Sequence, residues 1–149
     1  MSKIQDYDTI NPYFIKQFME TIICSGPVII ENNKVLLVKE QKSYGVTPWL
    51  FPGGKAEPNE TDPIEICKRE AKEEVGIDLE IIKQLITTEA PSWRGLDKKY
   101  ILYHYLAKRI GEIKPGADIV EWAWIDINDL PTDCNKNIYE IISDYKNML

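Results

Sequence analysis

Apolar and polar residues alternate along the chain with two different periods, and this pattern predicts most of the secondary structure. Branched apolar residues dominate residues 21–30, so this segment is predicted to be a strand that bends near Gly26 and Pro27. A turn at 31–33 leads into a second apolar strand over 34–40, which is typical of a hairpin. Further strands are predicted within 49–51, 78–90, 98–109 and 120–127.

Two segments instead show the 3.6-residue period of amphipathic helices. The first, over 64–75, has both ends marked. Asp62 is a good N-cap residue, Pro63 suits the first helical position, and Gly76 suits the left-handed position after the last turn. The second covers 135–149 and carries its apolar face on Ile138, Ile141, Ile142 and Tyr145.

This element order predicts an α/β fold in which helices cover both faces of a mixed sheet. The 149 residues match the usual domain size of about 100–150 residues, so we expect a single domain over 1–149. Residues 1–20 form an N-terminal extension in this prediction, with a short helix over 12–20.

The composition of the chain limits the kinds of partner and the cellular compartment that we expect. The net charge is −6 and no cluster of lysines and arginines stands out, so no nucleic acid polymer is expected as a partner. No apolar run reaches about 18 residues and the N-terminus does not resemble a signal peptide, so no membrane association is expected. Three scattered cysteines without CxxC spacing predict free thiols and a cytoplasmic protein.

Three glutamates lie close together on the first predicted helix. Since each helical residue turns by about 100°, Glu70, Glu73 and Glu74 fall on one arc beside an apolar stripe. That stripe consists of Ile64, Cys67, Ala71 and Val75. Like charges at this spacing destabilise a helix by roughly 0.2–0.5 kcal/mol per pair. A divalent cation between the carboxylates would remove the penalty. A solvated acidic face has the same spacing, so the helix alone leaves both interpretations open.

The loop before this helix favours a ligand site. Gly53 and Gly54 let a ligand or metal approach the main chain closely, although such pairs also end strands in ordinary turns. Together, the loop and helix resemble the signature of the Nudix hydrolases. That signature is Gly, five residues, Glu, seven residues, then Arg-Glu-apolar-any-Glu-Glu-any-Gly-apolar. Gly54, Glu60 and the block 69–77 match it.

One departure separates this chain from the signature, because eight residues and not seven lie between Glu60 and Arg69. Family members often carry a proline six residues before the arginine, and Pro63 keeps that interval here. The extra residue therefore falls before the helix, where it changes the position of Glu60 and leaves the glutamate register intact.

The resemblance implies an α/β/α sandwich that hydrolyses the diphosphate linkage of a nucleoside diphosphate derivative, with Mg²⁺ or Mn²⁺ as cofactor. By this match Glu70, Glu73 and Glu74 would be metal ligands, and the Gly53 carbonyl is a further candidate ligand. Arg69 would orient the glutamates. Gly54 and Glu60 would support the loop. The identity of the general base is left open.

Three residues outside the signature are candidates for contacts with substrate. The resemblance implies an acidic residue before the last tryptophan of the sheet, and both Asp118 and Glu121 qualify, although isolated acids are usually solvated. Trp93 is the best candidate for stacking on a base, because it lies in a loop that contains Gly and Pro. His104 alternates with tyrosines and is predicted to be a strand residue.

The pattern leaves the substrate open among nucleoside triphosphates, sugar nucleotides, ADP-ribose and dinucleoside polyphosphates. Two rival functions exist. A nucleotide sensor with the same fold would not need three carboxylates, and an isoprenoid diphosphate isomerase would need a cysteine in the pocket. Cys67 is predicted to point into the core and Cys24 to lie on a strand, so neither supports the isomerase strongly. A homodimer is left open.

Overall fold

The computed structural model describes residues 20–91 and 98–149. The predicted helix over 12–20 and the candidate stacking residue Trp93 therefore lie outside the described residues. The described elements are β1 (Glu20–Val28), β2 (Ile30–Glu31), β3 (Lys34–Lys42), β4 (Gly45–Val46), β5 (Gly54–Lys55), α1 (Pro63–Val75), β6 (Asp78–Gln84), β7 (Thr88–Pro91), β8 (Lys98–Ile110), β9 (Ile119–Asp126) and α2 (Lys136–Asn147).

The strands form two sheets. The first has the order β5–β1–β8–β6, with β7 also paired to β8. The second has the order β2–β3–β4, with β9 also paired to β3. Strands β1 and β8 run parallel, from the pair Glu20–Lys98 to the pair Val28–Leu106, whereas β6 and β7 run antiparallel to β8. The first sheet is therefore mixed, and the predicted α/β class is confirmed.

Strand β3 shows how the two helices are distributed over the sheet. Side chains alternate between the faces of a strand. Val35 and Leu37 pack in the core cluster that contains residues of α2. Leu36 and Val38 pack in the cluster that contains residues of α1. The helices therefore cover opposite faces, as an α/β/α sandwich requires.

Helix α1 begins and ends at the predicted residues. The backbone N–H of Ile64 donates to Asp62 Oδ1 over 2.9 Å, which satisfies one of the unpaired donors at the first turn. Gly76 has a φ of 72°, and its N–H donates to the Lys72 carbonyl over 3.1 Å. These local signals fix which residues of α1 share a face.

The buried face of α1 is wider than the predicted stripe. Ile66 is fully buried although it lies outside that stripe, whereas Ile64 is only partly buried. At about 100° per residue, Ile66 lies about 40° from Glu70, on the side away from Cys67. The predicted stripe is confirmed for Cys67, Ala71 and Val75, but the burial of Ile66 on the other flank of Glu70 was not predicted. Glu70 lies between buried sectors and is only 9% exposed.

The segment 78–90, which was predicted to hold a strand, forms β6 and the start of β7. The break between them places Leu85 in the core beside α2. Cys24, Cys67 and Cys134 are free thiols. Within the described ranges, neither helix is long and apolar enough to cross a bilayer.

The packing of α2 against the sheet can be tested with one buried and one exposed isoleucine. Ile138 on α2 is 0% exposed, so Ile138→Ala should lower the free energy of unfolding by about 2–5 kcal/mol, since it leaves a cavity. Ile82 on β6 is 51% exposed, and Ile82→Ala should change it by less than about 0.5 kcal/mol. Urea unfolding measures both, and equal effects would contradict the described packing of α2.

Candidate active site

The glycine-rich loop before α1 lies directly against β1. A Cβ atom on Gly26 would lie 2.0 Å from the Pro52 carbonyl oxygen, and one on Gly53 would lie 2.7 Å from the Ser25 carbonyl oxygen. Gly53 also has a φ of 152°, which residues with side chains rarely adopt. The missing side chains therefore let the loop and the strand meet, and this meeting fixes the loop beside the glutamates.

Gly54 makes room for a carboxylate of α1. A Cβ atom at this position would lie 2.5 Å from Glu70 Oε2. The Ala56 N–H donates to the Ile23 carbonyl over 2.8 Å, which continues the pairing of β5 with β1. A side chain at the first glycine of the signature would therefore displace the Glu70 carboxylate.

One guanidinium group joins three carboxylates. Arg69 Nε and Nη2 donate to Glu60 over 3.0 and 2.7 Å, and Nη1 donates to Glu70 over 2.9 Å and to Glu73 over 3.0 Å. Nη2 also donates to the Lys55 carbonyl over 3.0 Å. The bond from Arg69 is the main cause that holds the pKa of Glu60 below its usual range. The extra residue before α1 therefore does not prevent Glu60 from reaching Arg69.

Glu74 faces the other way, toward the loop and β3. The Gly53 N–H donates to Glu74 Oε2 over 2.9 Å. Burial raises the pKa of Glu74 well above its usual range, and a hydrogen bond with the Glu40 carboxyl raises it further. Two carboxyl groups thus lie together in a poorly solvated place.

Glu40 is a residue that the sequence analysis missed. It lies near the end of β3 and is only 8% exposed. A signal for it exists in the sequence, because Glu40 continues the alternation of Leu36 and Val38, whose side chains face α1. A glutamate that follows two buried apolar residues on the same face of a strand is a candidate site residue.

The carboxylates line one wall of a cleft of about 710 Å³. Glu40, Glu70, Glu73 and Glu74 all contribute to it. Within the described residues, no three acidic, histidine or cysteine side chains already converge as metal ligands, and Arg69 instead bonds to Glu70 and Glu73. The donor set nevertheless fits a hard divalent cation, because carboxylate oxygens are the preferred ligands of Mg²⁺ and suit Mn²⁺.

Uncharged polar side chains also line the cleft. His104 lies on β8 as predicted, is 3% exposed, and lines the cleft with Asn135 and Asn137. His104 Nδ1 lies 3.2 Å from the Ile86 carbonyl, which can only accept, so Nδ1 carries the proton. Nε2 then accepts from Asn137 Nδ2 over 3.0 Å. Burial lowers the pKa of His104 to about 4, so the ring is uncharged at neutral pH.

The remaining candidates occupy different places. Asp118 lines the cleft. Glu121 is exposed on β9 opposite Lys39 and is not among the described residues that line the cleft. Its neighbours at alternate positions, Ala123 and Ile125, pack with the α2 cluster, so Glu121 lies on the side away from α1.

The two cysteines considered for an isomerase also differ. Cys24 lines the cleft, and burial raises the pKa of its thiol to about 11. Cys67 lies on the core-facing side of α1 and is fully buried, as predicted. Of these two cysteines, only Cys24 is placed to contact a ligand in the cleft.

The fold and the cleft define a sandwich that presents a glycine-rich loop and a glutamate helix to one ligand site. The family described as NUDIX domain matches residues 25–145. The chain therefore belongs to the Nudix hydrolase family, and the resemblance of the loop and helix is confirmed at the level of the family.

Two curated relatives and one solved structure show how far the likeness extends. An ADP-ribose pyrophosphatase of Methanocaldococcus jannaschii is 30% identical over 115 residues, covering 76% of this chain and 67% of that protein. An 8-oxo-dGTP diphosphatase of Proteus vulgaris is 41% identical over 58 residues, covering 38% of this chain and 51% of that protein. A MutT NUDIX hydrolase from Burkholderia pseudomallei has a TM-score of 0.72 at 23% identity, covering 84% and 98% of the two chains. This structural likeness shows the shared fold.

The buried histidine predicts a pH dependence of stability. The pKa of His104 is about 4 in the folded chain, whereas that of a solvated histidine is about 6.5, so the unfolded chain binds the proton first as the pH falls. Neutral His104 makes its full contribution to the free energy of unfolding above pH 6.5. That contribution falls by up to about 3 kcal/mol as the pH drops from 6.5 to 4. Because carboxylates titrate in the same range, the measurement is the difference in unfolding free energy between wild type and His104→Gln. This difference should shrink as the pH falls, and parallel curves would contradict the prediction.

Proposed function

We propose that this chain is a metal-dependent pyrophosphohydrolase that cleaves the diphosphate linkage of a nucleoside diphosphate derivative by attack of water. The observation that carries the proposal is that four carboxylates line the same cleft, with Glu74 partly buried against the glycine-rich loop. Such a lining repels a diphosphate unless positive charge lies between them. A divalent cation supplies that charge and lowers the pKa of bound water.

In this proposal Glu70, Glu73 and Glu74 hold Mg²⁺ or Mn²⁺, and the Gly53 carbonyl is a further candidate ligand. Arg69 positions the carboxylates, because its guanidinium group bonds to Glu60, Glu70 and Glu73 at once. Binding of the cation would require Glu70 and Glu73 to exchange part of their bonding to Arg69. The bond from Arg69 to Glu60 would keep the guanidinium group in place.

The substrate would lie along the cleft with its diphosphate toward the carboxylates. Lys42 and Lys55 line the same cleft and could balance the charge of phosphate oxygens. The neutral wall of His104, Asn135 and Asn137 suits the uncharged nucleoside part, since its amides can donate and accept hydrogen bonds. Of the two later acids, Asp118 is the one we propose to contact substrate, because it lines the cleft. The role of Trp93 stays a prediction.

The names of the relatives suggest where to look first. ADP-ribose and 8-oxo-dGTP, the compounds in those names, both contain a nucleoside joined to a phosphoanhydride. One observation also keeps an isoprenoid diphosphate among the candidates, because Cys24 lines the cleft. Its raised pKa keeps the thiol protonated at neutral pH, so it is not a preformed nucleophile.

The substrate class can be tested with a panel of compounds incubated with the protein and Mg²⁺. The panel holds ADP-ribose, 8-oxo-dGTP, a sugar nucleotide, a dinucleoside polyphosphate and an isoprenoid diphosphate. We expect a nucleoside monophosphate among the chromatographically separated products. An isomerised isoprenoid diphosphate would favour the isomerase, and a panel that binds without turnover would favour a nucleotide sensor.

The role of Glu74 can be tested with a charge change that keeps side-chain volume. Glu74→Gln should reduce turnover by more than about 100-fold, since even residues that only support metal ligands commonly contribute 10–100-fold. Glu65 is the matched control, because it lies on the solvent side of the same helix. Glu65→Gln should retain wild-type turnover, and both variants should melt near the wild-type temperature. Near-normal activity of Glu74→Gln would remove Glu74 from the site.

A further inference from the structure

We propose that Glu40 is a further carboxylate of the cation site and shares the cation with Glu74. This inference rests on the proposed function, because it assumes that a divalent cation binds in the cleft. It extends that function by a residue outside the glutamate helix and outside the signature of the loop and helix. Strand β3 supplies this residue from the other sheet, so the cation would link β3 to α1.

The direction of the Glu40 side chain follows from the pairing of β3. Leu36 and Val38 face α1, and Glu40 is the next residue of the same face. The register between β3 and β9 shifts between Lys39 and Glu40, where Glu40 pairs with Ile119. Such irregularities bend a strand and re-aim side chains near binding sites. The face that is apolar over most of β3 thus ends in a carboxylate at the cleft.

The backbone around Glu40 is held from two sides. Its N–H donates to Thr47 Oγ1 over 2.9 Å, and its carbonyl accepts from the Thr47 N–H over 3.0 Å. The next residue, Gln41, donates its N–H to the Asp118 carbonyl over 2.8 Å. Glu40 is therefore a fixed and buried acid, and its position differs from that of a solvated surface carboxylate.

The charges around the pair also suit a divalent cation. Arg69 bonds to Glu60, Glu70 and Glu73, which leaves Glu40 and Glu74 on the other side of the cluster. The described basic group closest to Glu40 is Lys42, whose Nζ lies 3.7 Å from Glu40 Oε2 and is half exposed. Two carboxylates in a poorly solvated place can both be ionised only when positive charge lies between them, and otherwise they share a proton. A divalent cation shared by Glu40 and Glu74 would supply that charge.

The test uses Glu40→Gln, Glu40→Asp and the control Glu80→Gln, which removes an exposed carboxylate of β6. Binding of Mn²⁺ alone is followed by the electron paramagnetic resonance signal of the free ion, and melting is measured with and without Mn²⁺. Glu40→Gln should weaken Mn²⁺ binding about 10-fold or more, Glu40→Asp should weaken it less, and Glu80→Gln should not change it. The increase in melting temperature on adding Mn²⁺ should be smaller for Glu40→Gln than for wild type.

The outcomes separate this inference from the proposed function. If wild type binds no Mn²⁺, the metal-dependent function fails and this inference fails with it. If wild type binds Mn²⁺ and Glu40→Gln binds it equally well, only the role of Glu40 is overturned. A lower melting temperature of Glu40→Gln with an unchanged increase on adding Mn²⁺ would assign Glu40 a purely structural role and would also overturn it.

Discussion

Repulsion among carboxylates is the constraint on which the arrangement of this molecule depends. Five glutamates line the cleft, and two of them, Glu40 and Glu70, are largely buried. Arg69 offsets part of the repulsion, and the hydrogen bond from the Gly53 backbone offsets another part. Helix α1 tolerates the remainder because it is buried on both flanks of Glu70 and is capped by Asp62. The scaffold thus contributes the stability that the acidic surface lacks.

The cleft joins two environments that suit different parts of one ligand. The acidic wall comes from β3, the loop and α1, whereas the neutral wall comes from β8 and the first turn of α2. The protonation of His104 is fixed by the Ile86 carbonyl, so the neutral wall presents defined donors and acceptors. A phosphate-bearing ligand with an uncharged polar end matches this division. The parallel pairing of β1 and β8 brings the two walls together.

Local features of the sequence predicted the elements around the site, and contacts between distant segments account for what was missed. The ends of α1 followed from Asp62, Pro63 and Gly76, because capping depends on neighbouring residues only. Glu40 was missed because its partner Glu74 is brought near by tertiary packing. The burial of Ile66 was missed for the same reason, since one helical period cannot show contacts on a second flank. Glu121 was a candidate because its distance along the chain suited the family, but strand alternation turns it toward α2.

The touching backbones of β1 and the glycine-rich loop limit how this protein can change. Any side chain at Gly26 or Gly53 would push apart the two segments that carry the Gly53 amide to Glu74. The acidic half of the cleft therefore does not tolerate gradual substitution at these positions. Asn135, Lys136 and Asn137 at the start of α2 are exposed or half-buried and carry no comparable restriction. New ligand preferences are consequently expected to arise through Asn135, Asn137 and their neighbours, while the acidic half stays the same.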